Sequence, residues 1–119
     1  MTLREIAETL VNGCRNHTES ENLGRLYASD AVSVEAMDNG MGREAKGLDA
    51  IRGKHAWWNE NMEMISGSVS DPMLHPDDRF AVVFDFKGRE KANGKEFEMK
   101  EVAVYTVAGD KIVREEFFY

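Results

Sequence analysis

Near its end the chain reads VREEFFY, and the glutamates of this stretch have the surroundings that proton chemistry needs. Successive side chains of a strand point to opposite faces, so Val113, Glu115, Phe117 and Tyr119 share one face while Ile112, Arg114, Glu116 and Phe118 share the other. Both faces carry apolar bulk, and the first sets a carboxylate among aromatic rings. A carboxyl group held away from water favours its neutral form, which moves its pKa toward the range where it can take up and return a proton. His55 is a second candidate: it follows Ile51 and precedes Trp58 by one helical turn each, on a stripe that continues to Met62. An imidazole facing a carboxylate forms an acid/base pair near neutral pH, and one on such a stripe also serves as a hydrogen-bonded core residue. The sequence leaves both roles open.

Other chemistries find no support. No HExxH, histidine–carboxylate facial set, GxGxxG or phosphate-binding GxxxxGK[ST] stretch occurs, so no metal, dinucleotide or nucleotide triphosphate site is expected and no cofactor is called for. The single cysteine, Cys14, has no disulfide partner and no zinc-type spacing around it. It reads as a small hydrophobe on a helix. His17 follows the first helix and His75 precedes Pro76 in a turn, and both are expected at the surface. The glycines of NGMG are a loop signal.

The elements that must hold these residues follow from periodicity. TLRE has capping-box spacing, with Thr2 accepting from the backbone and Glu5 reaching back, and Leu3, Ile6, Ala7, Leu10 and Cys14 then recur at helical spacing to about Asn16. TESENLGRLYASD offers Thr18 or Ser20 as a cap for a short second helix that turns Leu23, Leu26 and Tyr27 inward. AVSVEAM alternates as a first strand, and DNGMGREAKG reads as a glycine-rich loop. A third helix follows Gly47, with Asp49 favourable to its dipole. Adjacent helical residues lie about 100° apart, so Trp57 and Trp58 cannot face one pocket together. Trp58 is expected inward, and Trp57, on the stripe of Lys54 and Asn61, is expected against the glycine-rich loop. Period two then takes over: a strand from near Met64 to Leu74, FAVVFDFKG, EFEMKEVAVYTV and KIVREEFFY, separated by the turns HPDDR, ANG and AGD. The order α-α-β-α-β-β-β-β makes an α+β domain.

The totals bound what such a domain does. At 119 residues the chain is one domain, and its 42% hydrophobic content is enough for a core. A net charge of −7 repels phosphate backbones and anionic membrane surfaces, so neither nucleic acid nor membrane is expected as a partner. MTLREIAETLV lacks the apolar run of a secretory signal, which leads us to expect a soluble cytoplasmic protein.

Four segments taken in order, LYASDAVSVEA, KGLDAIRGKHAWW, RFAVVFDF and EVAVYTVAGDKIVREEFFY, resemble the SnoaL-like branch of the nuclear transport factor 2-like superfamily. That superfamily also includes ketosteroid isomerase, scytalone dehydratase and limonene epoxide hydrolase, and the resemblance spans residues 1–119. It implies a cystatin-like α+β barrel: a cone-shaped, curved, mixed but mainly antiparallel sheet closed by three helices from the first half of the chain. A pocket for a small apolar organic ligand would lie between them, and a homodimer would form through the outer sheet face. Matched without gaps, Phe80, Val82, Phe84 and Phe86 turn toward the pocket, as do Glu115, Phe117 and Tyr119. Glu101 and Tyr105 share a face of the preceding strand by period two and are placed inward. Phe118, Val102 and Val104 then face a partner.

Ketosteroid isomerase carries a carboxylate base on its first strand, and the matching position here is Glu35. The resemblance thus implies Glu35 as a catalytic group, and helical spacing places His55, as a second candidate, and Trp58 toward the same pocket. The isomerase's first-helix tyrosine and second acid are matched by Val11 and Ala103, so an oxyanion hole of that design is not expected. Glu35, Glu101 and Glu115 in one cavity would repel unless they share protons, meet cations or lie at the rim. Two functions remain open: a small-molecule site, with or without isomerase, cyclase or hydrolase chemistry, and a dimeric structural domain whose own rings fill the pocket.

Overall fold

The computed structural model describes every residue except Asn39 and Met41. Helix α1 (Leu3–Arg15) begins with the expected capping box: the Thr2 hydroxyl accepts from the Glu5 amide at 3.1 Å, and the Thr2 amide donates to the Glu5 carboxylate at 3.0 Å. The box satisfies two of the donors that a helix start leaves unpaired. Its inner stripe, Ile6, Ala7, Leu10 and Val11, is buried. Helix α2 (Glu19–Leu26) buries Leu23 and Leu26 and runs without a loop into strand β1 (Tyr27–Val34). Short β2 (Glu44–Lys46) pairs antiparallel with β1, and α3 (Leu48–Asn61) starts from Gly47, whose φ of 93° suits a residue without a side chain. Five strands complete the chain: β3 (Met62–Val69), β4 (Met73–His75), β5 (Arg79–Glu90), β6 (Glu96–Ala108) and β7 (Lys111–Phe118).

The sheet runs β2-β1-β7-β6-β5-β3, with β4 also on β5; β1 and β7 are parallel and all other pairs antiparallel. This is the expected α+β architecture, a curved, open, mixed sheet with three helices packed on it. Register shifts interrupt three of the pairings, β1 with β7, β3 with β5 and β6 with β7. Such bulges bend and twist the strands that carry them. Ile6, Leu10, Leu23, Leu26 and Ile51 of the helices meet Phe80, Val82, Ala103, Tyr105 and Ile112 of the sheet in one core.

Several elements differ from the sequence reading. The first strand begins at Tyr27 and ends at Val34, so Glu35 lies just past it, its amide donating to the Arg43 carbonyl at 2.8 Å. The part of the glycine-rich loop formed by Asn39 and Met41 lies outside the described residues; the loop's far end is β2. The strand expected through Leu74 breaks after Val69, because Pro72 has no amide to donate and Ser70 turns its hydroxyl to the Val83 amide at 2.8 Å. Ile112 corrects the face assignment at the start of β7. It is fully buried, whereas strict alternation put it outside. The bulge explains this: Val107 pairs with Ile112 and Thr106 with Arg114, so Val113 is the extra residue and the alternation resets there.

Candidate functional site

Between the helices and the sheet lies a cavity of about 760 Å³. Leu10 and Cys14 of α1, Leu23 and Leu26 of α2, and Tyr27 at the start of β1 form one side. Opposite them are Phe84 and Phe86 of β5, Glu101 and Tyr105 of β6, and Glu115 and Phe117 of β7. These six alternate along their strands as period two requires. The β3 run from Met64 to Val69 closes a third side, and Arg15, His17, Glu19, Asn22 and His55 complete the lining.

Of the twelve residues singled out from the sequence, seven meet in this cavity: His55, Phe84, Phe86, Glu101, Tyr105, Glu115 and Phe117. Phe80 and Val82 belong to the core behind it, with the Phe80 ring stacked on Tyr105 at 4.8 Å. Trp58 also packs behind the lining, edge-on to Phe86 at 5.8 Å and to Phe97 at 6.1 Å. Trp57 is turned away from it and is 55% exposed. Glu35 and Tyr119 do not line the cavity. The Tyr119 hydroxyl donates to Glu35 at 3.1 Å, and Lys54 Nζ lies 2.5 Å from the other Glu35 oxygen.

Lys54 is the residue that sequence reasoning passed over, having been grouped with Trp57 and Asn61 on the outer stripe. Its ammonium also donates to the Ser33 hydroxyl at 2.7 Å and sits 5.3 Å from the centre of the Phe117 ring. Its spacing of three from Ile51 was the available signal, since that places it one turn along on the inward side. Tyr27, read as an inward helix residue, and Ser33, read as part of the first strand, were given no role at the site, because the Glu115 carboxylate they bond lies on β7, far away in sequence.

Three environments set the protonation of the cavity. Glu115 is 4% exposed, and burial pushes its carboxyl up. Hydrogen bonds from Tyr27 and Ser33, and the charges of Lys54 and His55, pull the other way. The Tyr27 hydroxyl donates to it at 2.6 Å, a length typical of a bond with an ionic or strongly polarised partner. Burial, with Glu115 next in importance, holds the phenols of Tyr27 and Tyr105 well above their ordinary range, so both remain neutral donors. Cys14 is pushed up to about 12 by burial and by the charges of Glu19 and Glu115. It is a thiol near neutrality and not a nucleophile.

Glu101 differs from all of these. Burial, and then the like charges of Glu35 and Glu115, raise its carboxyl to about 7, with Lys54 opposing. A group poised there exchanges protons readily at neutral pH. Among the described residues no group of three or more histidine, cysteine, aspartate or glutamate side chains has the geometry of a metal site. Nor is any described helix long and apolar enough to cross a membrane.

Comparison with known proteins places this geometry in a wider set. The whole chain, residues 1–119, matches the family model of the SnoaL-like domain. A crystal structure from Mesorhizobium loti is 37% identical, with all of both chains covered and a TM-score of 0.92; that protein is provisionally described as a SnoaL-like polyketide cyclase, with carbohydrate phosphatase alongside. A nuclear transport factor 2-like protein of Burkholderia thailandensis is 19% identical, covering 99% of this chain and 90% of its own, with a TM-score of 0.84. A Xanthomonas campestris protein with a cystatin-like fold is 18% identical over 99% of this chain and 90% of its own, with a TM-score of 0.76. No curated protein matches the chain.

Proposed function

Because the chain belongs to the SnoaL-like domain family, we propose that its cavity binds a small organic molecule and that Glu101, rather than Glu35, moves a proton on it. The observation that carries this reading is a carboxyl group inside the cavity whose pKa is raised to about 7. Glu35 is held by Lys54 and Tyr119, so its oxygens are already engaged. In the step we propose, a C–H bond next to a substrate carbonyl breaks and its proton passes to the Glu101 carboxylate. The electron pair delocalises onto the carbonyl oxygen, and the proton returns to the same or another carbon. Tyr105, neutral and facing the cavity, is placed to donate to that oxygen. This is isomerase- or cyclase-type chemistry and needs no cofactor. The cavity's volume supports a ligand over a pocket filled by its own rings, since Trp58 and Phe80 pack behind the lining.

The test uses a panel of small ketones in D2O, with α-hydrogen exchange followed by proton NMR. Exchange catalysed by the wild type should rise with pH and level off above about 7, and Glu101→Gln should lower it by roughly 10²–10⁴-fold. Exchange that survives in Glu101→Gln, or a 13C titration placing Glu101 in the ordinary carboxylate range, overturns the assignment.

A second copy of the chain is the partner we propose for the outer sheet face. Phe118 pairs with Val102, and Val102 with Val83, forming an apolar row on which Phe118 is 50% exposed. Light scattering should give about twice the 13.5 kDa chain mass, and Phe118→Glu should halve it. A wild-type mass equal to one chain removes this proposal.

A further inference from the structure

Three acidic side chains line the cavity, and the lysine or arginine among its described lining residues is Arg15. Glu19, Glu101 and Glu115 line it, and Glu35 lies close enough to act on Glu101. The positive groups around them are largely committed. Lys54 is bound to Glu35 and Ser33, and Arg15 donates to the Val69 carbonyl at 2.8 Å and to Asp71 at 2.9 Å. His55 Nδ1 lies 3.4 Å from the Ser20 hydroxyl, and His17 also lines the cavity; Cys14 and Tyr27 remain neutral.

Two polar groups wait without partners. Tyr105 is 3% exposed and lines the cavity, yet its hydroxyl has no hydrogen-bond partner among the described residues. One carboxylate oxygen of Glu19, Oε2, is buried and likewise unpaired. Buried polar groups left open in this way mark a place where a ligand supplies the missing partner. Beside aliphatic residues of α1, α2 and β3, the rings of Phe84, Phe86 and Phe117 also line the cavity, and the face of an aromatic ring attracts cations.

We propose that the cavity takes a small organic cation, an ammonium group seated among Glu101, Glu115 and the Tyr105 hydroxyl with the rings of Phe84, Phe86 and Phe117 around it. The inference rests on the cavity being a ligand site, and it names the class of substrate. Charge gives the reason. A neutral ligand leaves the carboxylates to repel one another or to take up protons, whereas a cation lets them ionise together. The same holds for proton abstraction: the anion formed on a neutral substrate would face like charge from Glu115 and Glu35, and a positive group on the substrate cancels it. Binding of the cation and protonation of Glu101 are therefore competitive.

Choline and its uncharged isostere 3,3-dimethylbutan-1-ol separate charge from shape, and calorimetry on the full-length wild type compares them. Choline should bind at least about tenfold more tightly at pH 8. Its affinity should fall about tenfold from pH 8 to pH 6 as Glu101 takes up its proton, while that of the alcohol stays level. Glu101→Gln should abolish the pH dependence and weaken choline alone; Glu19→Gln, on α2, provides a second variant whose choline affinity should also fall. Equal affinities for the two ligands, or a choline affinity flat from pH 6 to pH 8, overturn the inference. Binding of the alcohol without choline does so too but leaves the proton-transfer reading standing, and binding of neither, with Glu101 titrating as an ordinary carboxylate, removes both.

Discussion

The cavity's carboxylates occupy two contrasting regions. At the buried end, Glu115 is nearly sealed from water and receives a short hydrogen bond from Tyr27, a neutral donor. Farther out, Glu35 is part-exposed and meets a full cation in Lys54, with Tyr119 as a second partner. Both are satisfied, one by a dipole and one by a charge. Glu101 stands between these regimes: it is buried enough to resist ionisation, close enough to feel both neighbours, and without an ion-pair partner among the described residues. The contrast teaches that partners make a buried acid structural, and that the acid left without one retains the capacity to exchange protons.

The largest effect should appear at the unpaired acid. Its folded-state pKa, about 7, lies above the unfolded value of 4.5, so it favours the folded state while protonated. Its contribution to stability is therefore fully present below about pH 4.5, declines as pH rises toward 7, and is gone above that. Glu101→Gln resembles the protonated acid at every pH. Relative to the wild type it should gain on the order of 2–3 kcal/mol between pH 4.5 and pH 8, measured by urea denaturation at both pH values. A constant difference between the two proteins would place Glu101 outside the cavity's field.

A smaller effect should separate the two paired acids. Tyr27→Phe leaves a buried Glu115 oxygen without its donor and should cost about 1–3 kcal/mol at pH 7. Glu35→Gln, in the part-exposed pair, should cost about 1 kcal/mol or less. If Glu35→Gln proved the more damaging in thermal or chemical unfolding, the roles of the two regions would be exchanged.

Much of the fold was legible along the chain. The capping box at Thr2, the helical stripe of α1, the period-two runs of β5 and β6 and the change of period after α3 are local signals, and each appears where the residues indicate. Local signals were weaker at junctions. Helix α2 passes directly into β1 at Tyr27, with no turn residue to mark the change, and this displaced the first strand and moved Glu35 from inside it to just beyond its end. Ile112 shows the same limit in another form, because a bulge is a property of two paired strands and leaves no mark on either one alone.

By itself the sequence determined the element types and which side chains share a strand or helix face, since these follow from periodicity, and the family resemblance chose the faces of Glu101 and Glu115 as the inner ones. Only the tertiary structure decided how each acid is partnered. Glu35, Glu101 and Glu115 are alike in sequence terms, and what separates them is distance to other segments: Lys54 from α3 at Glu35, Tyr27 from the start of β1 at Glu115, and at Glu101 no ion-pair partner among the described residues. Proton affinity depends on burial and on charges brought near by folding, and neither quantity exists until the segments have met.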